Sequence, residues 1–377
     1  MIYVYHHLLN LSTSGINTWC KLFKSNLSNL CINIIDNIEN IIFSSHDILI
    51  VNHLSINKIT NHHFTNSPTI ILVIHNLDKY FINLINTTKI NINYIISIFP
   101  INIIKDNNLM FSDDKIFFLP NIDLTKNTIV CEKIHNLQFN NTFYYYGRID
   151  YEKNIILLID LMQYHFITHQ LIIIYPHNTH HNIINFYQKY IDFCNIKNVI
   201  FIKDDEPYEK GLIYLSAGTM EGLPYTYLEL LSNNKIIISY NSGTINDLLD
   251  DDFIITYNKK SLHLPIIKKS SIIDPLLTTK SYTILPNIVY YKQHYTVGNC
   301  GKKYPFIDQH LLIPTYLTQN NIHKTNYLEH LDLWVQKISN IVDNIEYYLK
   351  KSNQCYYNWF EMATEKWTNN KLYNVII

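Results

Sequence analysis

An α/β fold built on two doubly wound parallel sheets is what this sequence predicts, on three observations. Short apolar runs rich in β-branched residues alternate with helical stretches. Runs this short, separated by polar stretches, mark buried parallel strands. The pattern restarts near Thr142, and 377 residues hold two or three domains with real cores.

In the first half, strands are expected at Ile2–Tyr5, Cys31–Ile35, Asp47–Asn52, Thr69–His75, Asn93–Phe99 and Ile116–Leu119, with a helix over Thr18–Lys24. The second half begins with a strand over Phe143–Tyr146 and a helix over Asn154–Tyr164. Then come strand Leu171–Tyr175, helix Asn182–Phe193, and strands Val199–Ile202 and Ile213–Ser216. A helix over Tyr225–Leu231 and a strand over Lys235–Tyr240 follow. Residues 257–324 carry turns and short apolar patches without a readable period and are expected to be an elaboration. Asn326–Asn344 and Glu346–Trp367 have helical spacing, with Leu328, Leu331, Leu333, Trp334, Ile338 and Ile341 apolar. Trp359 and Trp367 are read as packing residues.

Two motifs concentrate chemistry. In Glu221-Gly222-Leu223-Pro224-Tyr225-Thr226-Tyr227-Leu228-Glu229 two carboxylates stand eight positions apart. Pro suits a first helical turn, which places Glu221 in the loop and Glu229 about a turn inside the helix. Gly222 admits a ligand to the backbone, and free N–H groups at a helix start suit an anion. Tyr225 to Glu229 spans roughly 6 Å, the scale of a diphosphate with a sugar hydroxyl at either end. Upstream, a strand runs into Gly147-Arg148, then Lys153, then a helix. Gly147-Arg148, Lys203-Asp204 and Glu221 all follow strand carboxyl ends, where open α/β sheets bind ligands.

With these motifs the sequence resembles the retaining glycosyltransferases of the GT-B fold, family 4 type. That family carries a Gly-Arg and a following Lys for the donor diphosphate, then Glu-x7-Glu for donor sugar and ribose. The resemblance continues through Asn241-Ser242-Gly243-Thr244, where the family opens a helix with a Gly-rich turn. It also takes in Leu119-Pro120-Asn121-Ile122-Asp123, similar to an interdomain Pro-Asn-Gly-x-Asp with Ile122 in place of Gly. It extends over about residues 1–255 and is strongest in 143–249.

The resemblance implies two Rossmann-like domains facing across a cleft. The acceptor domain is expected at 1–125 and the nucleotide-sugar domain at 126–325, with helices over 326–377 packing back on the first. It assigns Arg148 and Lys153 to the diphosphate, Glu221 to the donor sugar and Glu229 to the ribose. Gly147, Gly222, Leu223, Pro224, Tyr225 and Thr226 would line the donor. His75, ending the fourth strand, would face the sugar from the other domain. Gly15, in the loop Ser12-Thr13-Ser14-Gly15-Ile16-Asn17, would face the phosphates, and Lys203 would meet the base. The implied activity is transfer of a hexose, UDP-linked by preference, to a glycan, lipid or protein-linked acceptor with retention. No cofactor and no metal are expected. A non-catalytic sugar-nucleotide-binding protein and a sugar-nucleotide epimerase of the same fold are the alternatives.

Composition sharpens the motifs. Eight glycines stand where average usage would give roughly 26. Arg148 is the only arginine among 30 basic residues, and Ala217 and Ala363 are the only alanines. An AT-rich genome writes such a bias, filling permissive positions with Asn, Ile and Lys. A residue type nearly eliminated yet present in a motif answers a physical demand, and Gly15, Gly147, Gly222 and Gly243 are half the glycines.

Other features exclude functions. A net charge of −1 gives no basic stripe for nucleic acid. Six scattered cysteines without C-x-x-C spacing suit a reducing compartment. With no charged leader and no run of about 18 apolar residues, the expectation is cytoplasmic, with at most peripheral membrane contact. His177, His180 and His181 lack a second ligand pair for zinc and read as a solvated loop. Asp250-Asp251-Asp252 reads as an exposed helix end rather than a metal-binding D-x-D. Without a Gly-x-Gly dinucleotide loop, a dehydrogenase is disfavoured.

Overall fold

The computed structural model describes residues 1–377 except 8, 10–14, 40, 60–66, 76–78, 107, 125–138, 150–152, 178–183, 186, 189–190, 193–194, 205–210, 219–222, 242–243, 257–294, 297–302, 305–320, 370 and 377. Two six-stranded sheets, parallel throughout, form its frame.

The first sheet comprises β1 (Ile2–Tyr5), β2 (Ile32–Ile35), β3 (Ile48–Asn52), β4 (Thr69–Ile74), β5 (Tyr94–Ser97) and β6 (Ile116–Phe118), in the order β2-β1-β3-β4-β5-β6. Val4 sits opposite Ile34 on one side and Ile50 on the other. All residues of β1 and β3 are buried, so both sheet faces are covered, as parallel sheets require. Helices α1 (Gly15–Asn26), α2 (Lys79–Thr87) and α3 (Ile101–Asp106) lie between strands in sequence. From α1, Trp19 and Phe23 stack at 4.8 Å inside the core.

The second sheet comprises β7 (Thr142–Tyr146), β8 (Gln170–Tyr175), β9 (Val199–Lys203), β10 (Ile213–Ser216), β11 (Ile236–Tyr240) and β12 (Ile254–Ile255), in the order β12-β11-β10-β7-β8-β9. Helix α4 (Ile155–Tyr164) follows β7, α5 (Tyr225–Ser232) follows β10, and α6 (Ile245–Leu248) follows β11. The eight residues Ile155 to Met162 of α4 are all buried, which its nearly unbroken apolar sequence dictates. Two two-residue strands, β13 (Tyr295–Thr296) and β14 (Lys303–Tyr304), pair antiparallel. Half of the expected helix over Asn182–Phe193 lies among the described residues, and each of those residues is helical.

The chain ends in α7 (Asn321–Asp343), α8 (Ile345–Thr368) and α9 (Leu372–Ile376). Leu331, Trp334, Ile338 and Ile341 form the fully buried stripe of α7, and Trp334 meets Tyr240 edge-on at 5.2 Å. Leu333, expected in that stripe, is instead 49% exposed. At 100° per residue it lies a third of a turn off the 331-334-338-341 line. The side chain of Leu328 lies outside the described residues.

The chain divides into two compact units, one holding residues 1–129, 222–228 and 356–377, the other 130–221 and 229–355. Within the first, Trp359 and Trp367 are buried and donate their indole N–H groups to the carbonyls of Asn121 (3.1 Å) and Pro120 (2.9 Å). The Asn121 carboxamide donates in turn to the Leu223 carbonyl at 2.8 Å. Within the second, Lys337 of α7 donates to the Asp251 and Ile254 carbonyls, and Lys351 of α8 pairs with Asp250 at 2.8 Å and Asp252 at 2.5 Å. Asp251–Phe253 form a short 3-10 turn there. The acidic run stands exposed just past α6, as expected, and it also anchors the C-terminal helices. Asp250 and Asp252 are about two-fifths exposed and paired with Lys351.

Candidate functional site

In the second sheet, β8 and β9 extend to one side of β7, and β10, β11 and β12 to the other. The order reverses between β7 and β10, the position at which doubly wound sheets open a crevice beyond their carboxyl ends. Both carriers of the diphosphate motif leave this point.

Gly147 ends β7 with φ +150°, and a Cβ there would come 3.3 Å from the Tyr145 hydroxyl. The backbone angle favours glycine, and the Tyr145 hydroxyl makes the space for a Cβ tight. The Tyr145 hydroxyl donates to the Arg148 carbonyl at 2.7 Å, folding the turn back on its own strand. The Arg148 side chain is exposed. Five residues on, half-buried Lys153 precedes Asn154, which adopts the left-handed conformation (φ 49°, ψ 43°) at the start of α4. Asparagine is among the few non-glycine residues that tolerate it. The buried Asn154 carboxamide donates to the Ala217 carbonyl at 2.8 Å, just past the end of β10.

Glu221 and Gly222, like Gly243, lie outside the described residues. Around them, Leu223 is buried, Pro224, Tyr225 and Thr226 are half-buried, and α5 begins at Tyr225, as the position of Pro224 predicts. Burial holds the Tyr225 phenol well above its ordinary pKa, with Cys20 and Asp123 adding to the shift. Glu229 lies on the second turn of α5 and is half-buried. Lys203 ends β9 and is exposed. With β8 between β9 and β7, it stands about 10 Å from the strand that carries Arg148. Gly147 and Arg148 thus follow β7, Lys153 and Asn154 stand at the start of α4, and Lys203 lies on the edge strand of the sheet.

The first sheet has its own reversal, between β1 and β3. Four histidines occupy the strand ends around it: His6 and His7 after β1, His53 after β3 and His75 after β4. The Ser55 hydroxyl lies 2.9 Å from His7 Nδ1 and 3.4 Å from His6 Nδ1, and it accepts the His7 backbone N–H at 3.2 Å. His53 Nδ1 accepts the His75 backbone N–H at 3.4 Å while its ring also bonds the Val73 carbonyl. Its proton therefore sits on Nε2. Trp19 meets the His75 ring edge-on at 5.2 Å.

Burial lowers the pKa of all four rings, reinforced by neighbouring imidazoles at His6, His53 and His75 and by Lys58 at His7. His6 is lowered to about 4, His53 to about 3, and His75 also falls well below its usual value. The buried Nε2 atoms of His6, His7 and His75 have no hydrogen-bond partner among the described residues. Gly15, exposed at the start of α1, has no heavy atom within 4 Å of its Cβ position, so the fold itself makes no steric demand for glycine there.

Sequence reasoning singled out His75 alone of the four and passed over Tyr145 and Asn154. The signal for the histidines was present, since every one follows the carboxyl end of a strand. Of the H-x2-H-H run, His177 is exposed and the other two residues lie outside the described residues. Among the described residues no three His, Cys, Asp or Glu side chains are grouped to hold a metal, and no helix is long and apolar enough to cross a membrane.

Two parallel six-stranded sheets with flanking helices constitute the two-domain α/β layout of the GT-B glycosyltransferases. Among solved structures, the chain is similar to Anabaena HepE in complex with UDP-glucose, with a TM-score of 0.51 and 9% identity over 68% of this chain and 85% of that one. HepE with UDP and glucose gives a TM-score of 0.50 at 10% identity over the same shares. TarM gives 0.50 at 15% identity, over 86% of this chain but 55% of its own. At these identities the likeness establishes the fold. No family model and no curated protein sequence matches the chain.

Proposed function

We propose that this chain is a glycosyltransferase that moves a hexosyl group from a nucleoside diphosphate donor, UDP-linked by preference, to a glycan, lipid or protein-linked hydroxyl with retention at the anomeric carbon. The observation that carries the reading is the placement of Gly147, Arg148 and Lys153 at the order reversal between β7 and β10. The nucleotides bound to the HepE structures agree with it.

A glycosyl donor leaves behind a diphosphate whose negative charge grows as the glycosidic bond breaks. The exposed Arg148 offers a planar fork that takes two phosphate oxygens, and Lys153 adds a point charge. Both act hardest on the departing charge, which is how electrostatic stabilisation lowers a barrier. N–H groups at the start of α5 add to this. Glu221 orients the donor sugar and Glu229 the ribose hydroxyls. Recognition of the acceptor is assigned to the first unit. The acceptor hydroxyl attacks from the leaving-group side, and its proton passes to the departing phosphate.

A thermal-shift panel of UDP, GDP, ADP and CDP tests the donor class. A ligand that binds only the folded chain stabilises it by about 2.7 kcal/mol at a hundred times its Kd. UDP should raise the melting temperature most; no response to any of the four overturns the reading. Proton NMR of the first product then reads the anomeric coupling, and inversion would reject the retaining assignment.

A further inference from the structure

We infer that Tyr145 and Asn154 are the positioning residues of the diphosphate clamp, Tyr145 setting Arg148 and Asn154 setting Lys153. The inference rests on the donor reading above and deepens it. Two long cations act on one diphosphate only if the backbone beneath each is fixed, because every unrestrained side-chain torsion is entropy lost on binding.

Arg148 has an exposed side chain, so its aim depends on its main chain. The Tyr145 hydroxyl holds that main chain by its carbonyl, at 2.7 Å. Tyr145 is 3% exposed, so the hydroxyl is delivered from a side chain locked in the sheet. Gly147, between them, is held to glycine by the same hydroxyl, 3.3 Å from where its Cβ would stand.

Asn154, the residue after Lys153, does the equivalent at the start of α4. Every described non-glycine residue with positive φ is an asparagine: 108, 141, 154, 195 and 234. A left-handed Asn in this glycine-poor chain thus needs no special cause. What distinguishes Asn154 is a buried carboxamide donating to Ala217 at 2.8 Å, which ties the Lys153 segment to the exit of β10. The chain leaving Ala217 leads on to Glu221. One bond thereby joins the start of α4 to the residue that follows β10.

Isothermal titration of UDP and of uridine separates positioning from plain structural support. Tyr145→Phe keeps the buried ring and removes the bond to the Arg148 carbonyl, and Asn154→Gly keeps the left-handed backbone and removes the bond to the Ala217 carbonyl. Each should weaken UDP by roughly 5- to 30-fold, the scale of a lost orienting hydrogen bond. Uridine, which has no phosphate, should change less than about twofold, and the ligand-free melting temperature should move by no more than a few degrees. Equal losses for UDP and uridine, or unchanged UDP affinity in both variants, overturn the inference while leaving the donor reading in place. Wild-type protein that binds UDP no tighter than uridine, or an Arg148→Ala variant with undiminished UDP affinity, overturns the donor reading and this inference with it.

Discussion

A lone arginine in a chain with 30 basic residues marks a site more sharply than any motif score. Lysine supplies the same charge nearly everywhere else, so what Arg148 adds is a planar pair of donors. Arg148→Lys is therefore expected to fail almost as badly as Arg148→Ala, by about 2–4 kcal/mol in transition-state stabilisation, or about 30- to 1,000-fold in kcat/KM. Steady-state kinetics of both variants decide it, and wild-type-like turnover by the lysine variant removes Arg148 from the site. Rarity also explains what was legible here. Arginine and glycine are scarce enough that Arg148 and Gly147 stood out. Tyr145 is one of 30 tyrosines, and asparagine is as ordinary in this chain, so neither Tyr145 nor Asn154 carried a signal before its hydrogen bond was seen. The turn asparagines fill the same gap, taking left-handed positions that a glycine-richer protein would give to glycine.

At the scale of elements, strands were legible to within two residues at either end, because a buried parallel strand is one unbroken apolar run. Shorter pieces were not. Helices α2 and α3 and strand β12 went unassigned, since six or nine residues hold too few turns for a period to emerge and two residues hold none. The anchoring of α7 and α8 was also invisible, because it joins the Asp251 carbonyl and the Asp252 carboxylate to lysines 86 and 99 positions later. Its partners contribute unequally. Lys351→Met should cost about 1 kcal/mol or less in urea denaturation, because the pair is open to solvent. Trp334→Ala, at a fully buried position, should cost about 3–5 kcal/mol. The same anchor bears on metal dependence. With Asp250 and Asp252 held by Lys351, and with Arg148 and Lys153 proposed to carry the diphosphate charge, transfer is expected to survive EDTA. Strict dependence on Mn²⁺ would return those two aspartates to the reaction.

For the molecule as a whole, the buried histidines predict how stability varies with pH. Their folded pKa values lie below the ordinary 6.5, at about 4 for His6 and about 3 for His53. Between those values and 6.5 the unfolded chain binds protons that the folded chain refuses, so stability falls as pH falls through that window. At pH 5 the loss is on the order of 2 kcal/mol for each such ring. Urea midpoints at pH 8, 6 and 5 measure it, and His6→Gln should flatten the slope; a midpoint that holds steady down to pH 5 contradicts the burial of these rings. The division of the chain has a different consequence, one of timing. A ribosome makes residues 1–129 before the segments 222–228 and 356–377 that belong to the same unit. Trp359, which caps the Asn121 carbonyl, follows it by 238 positions, and Trp367 follows Pro120, whose carbonyl it caps, by 247. The first sheet can pair early, but its unit closes only after everything between has been synthesised. Stalled nascent chains ending at 355 should therefore be cut by protease within 1–129, and chains extended through 377 should resist. The stretch of this unit made earlier waits on the stretch made later.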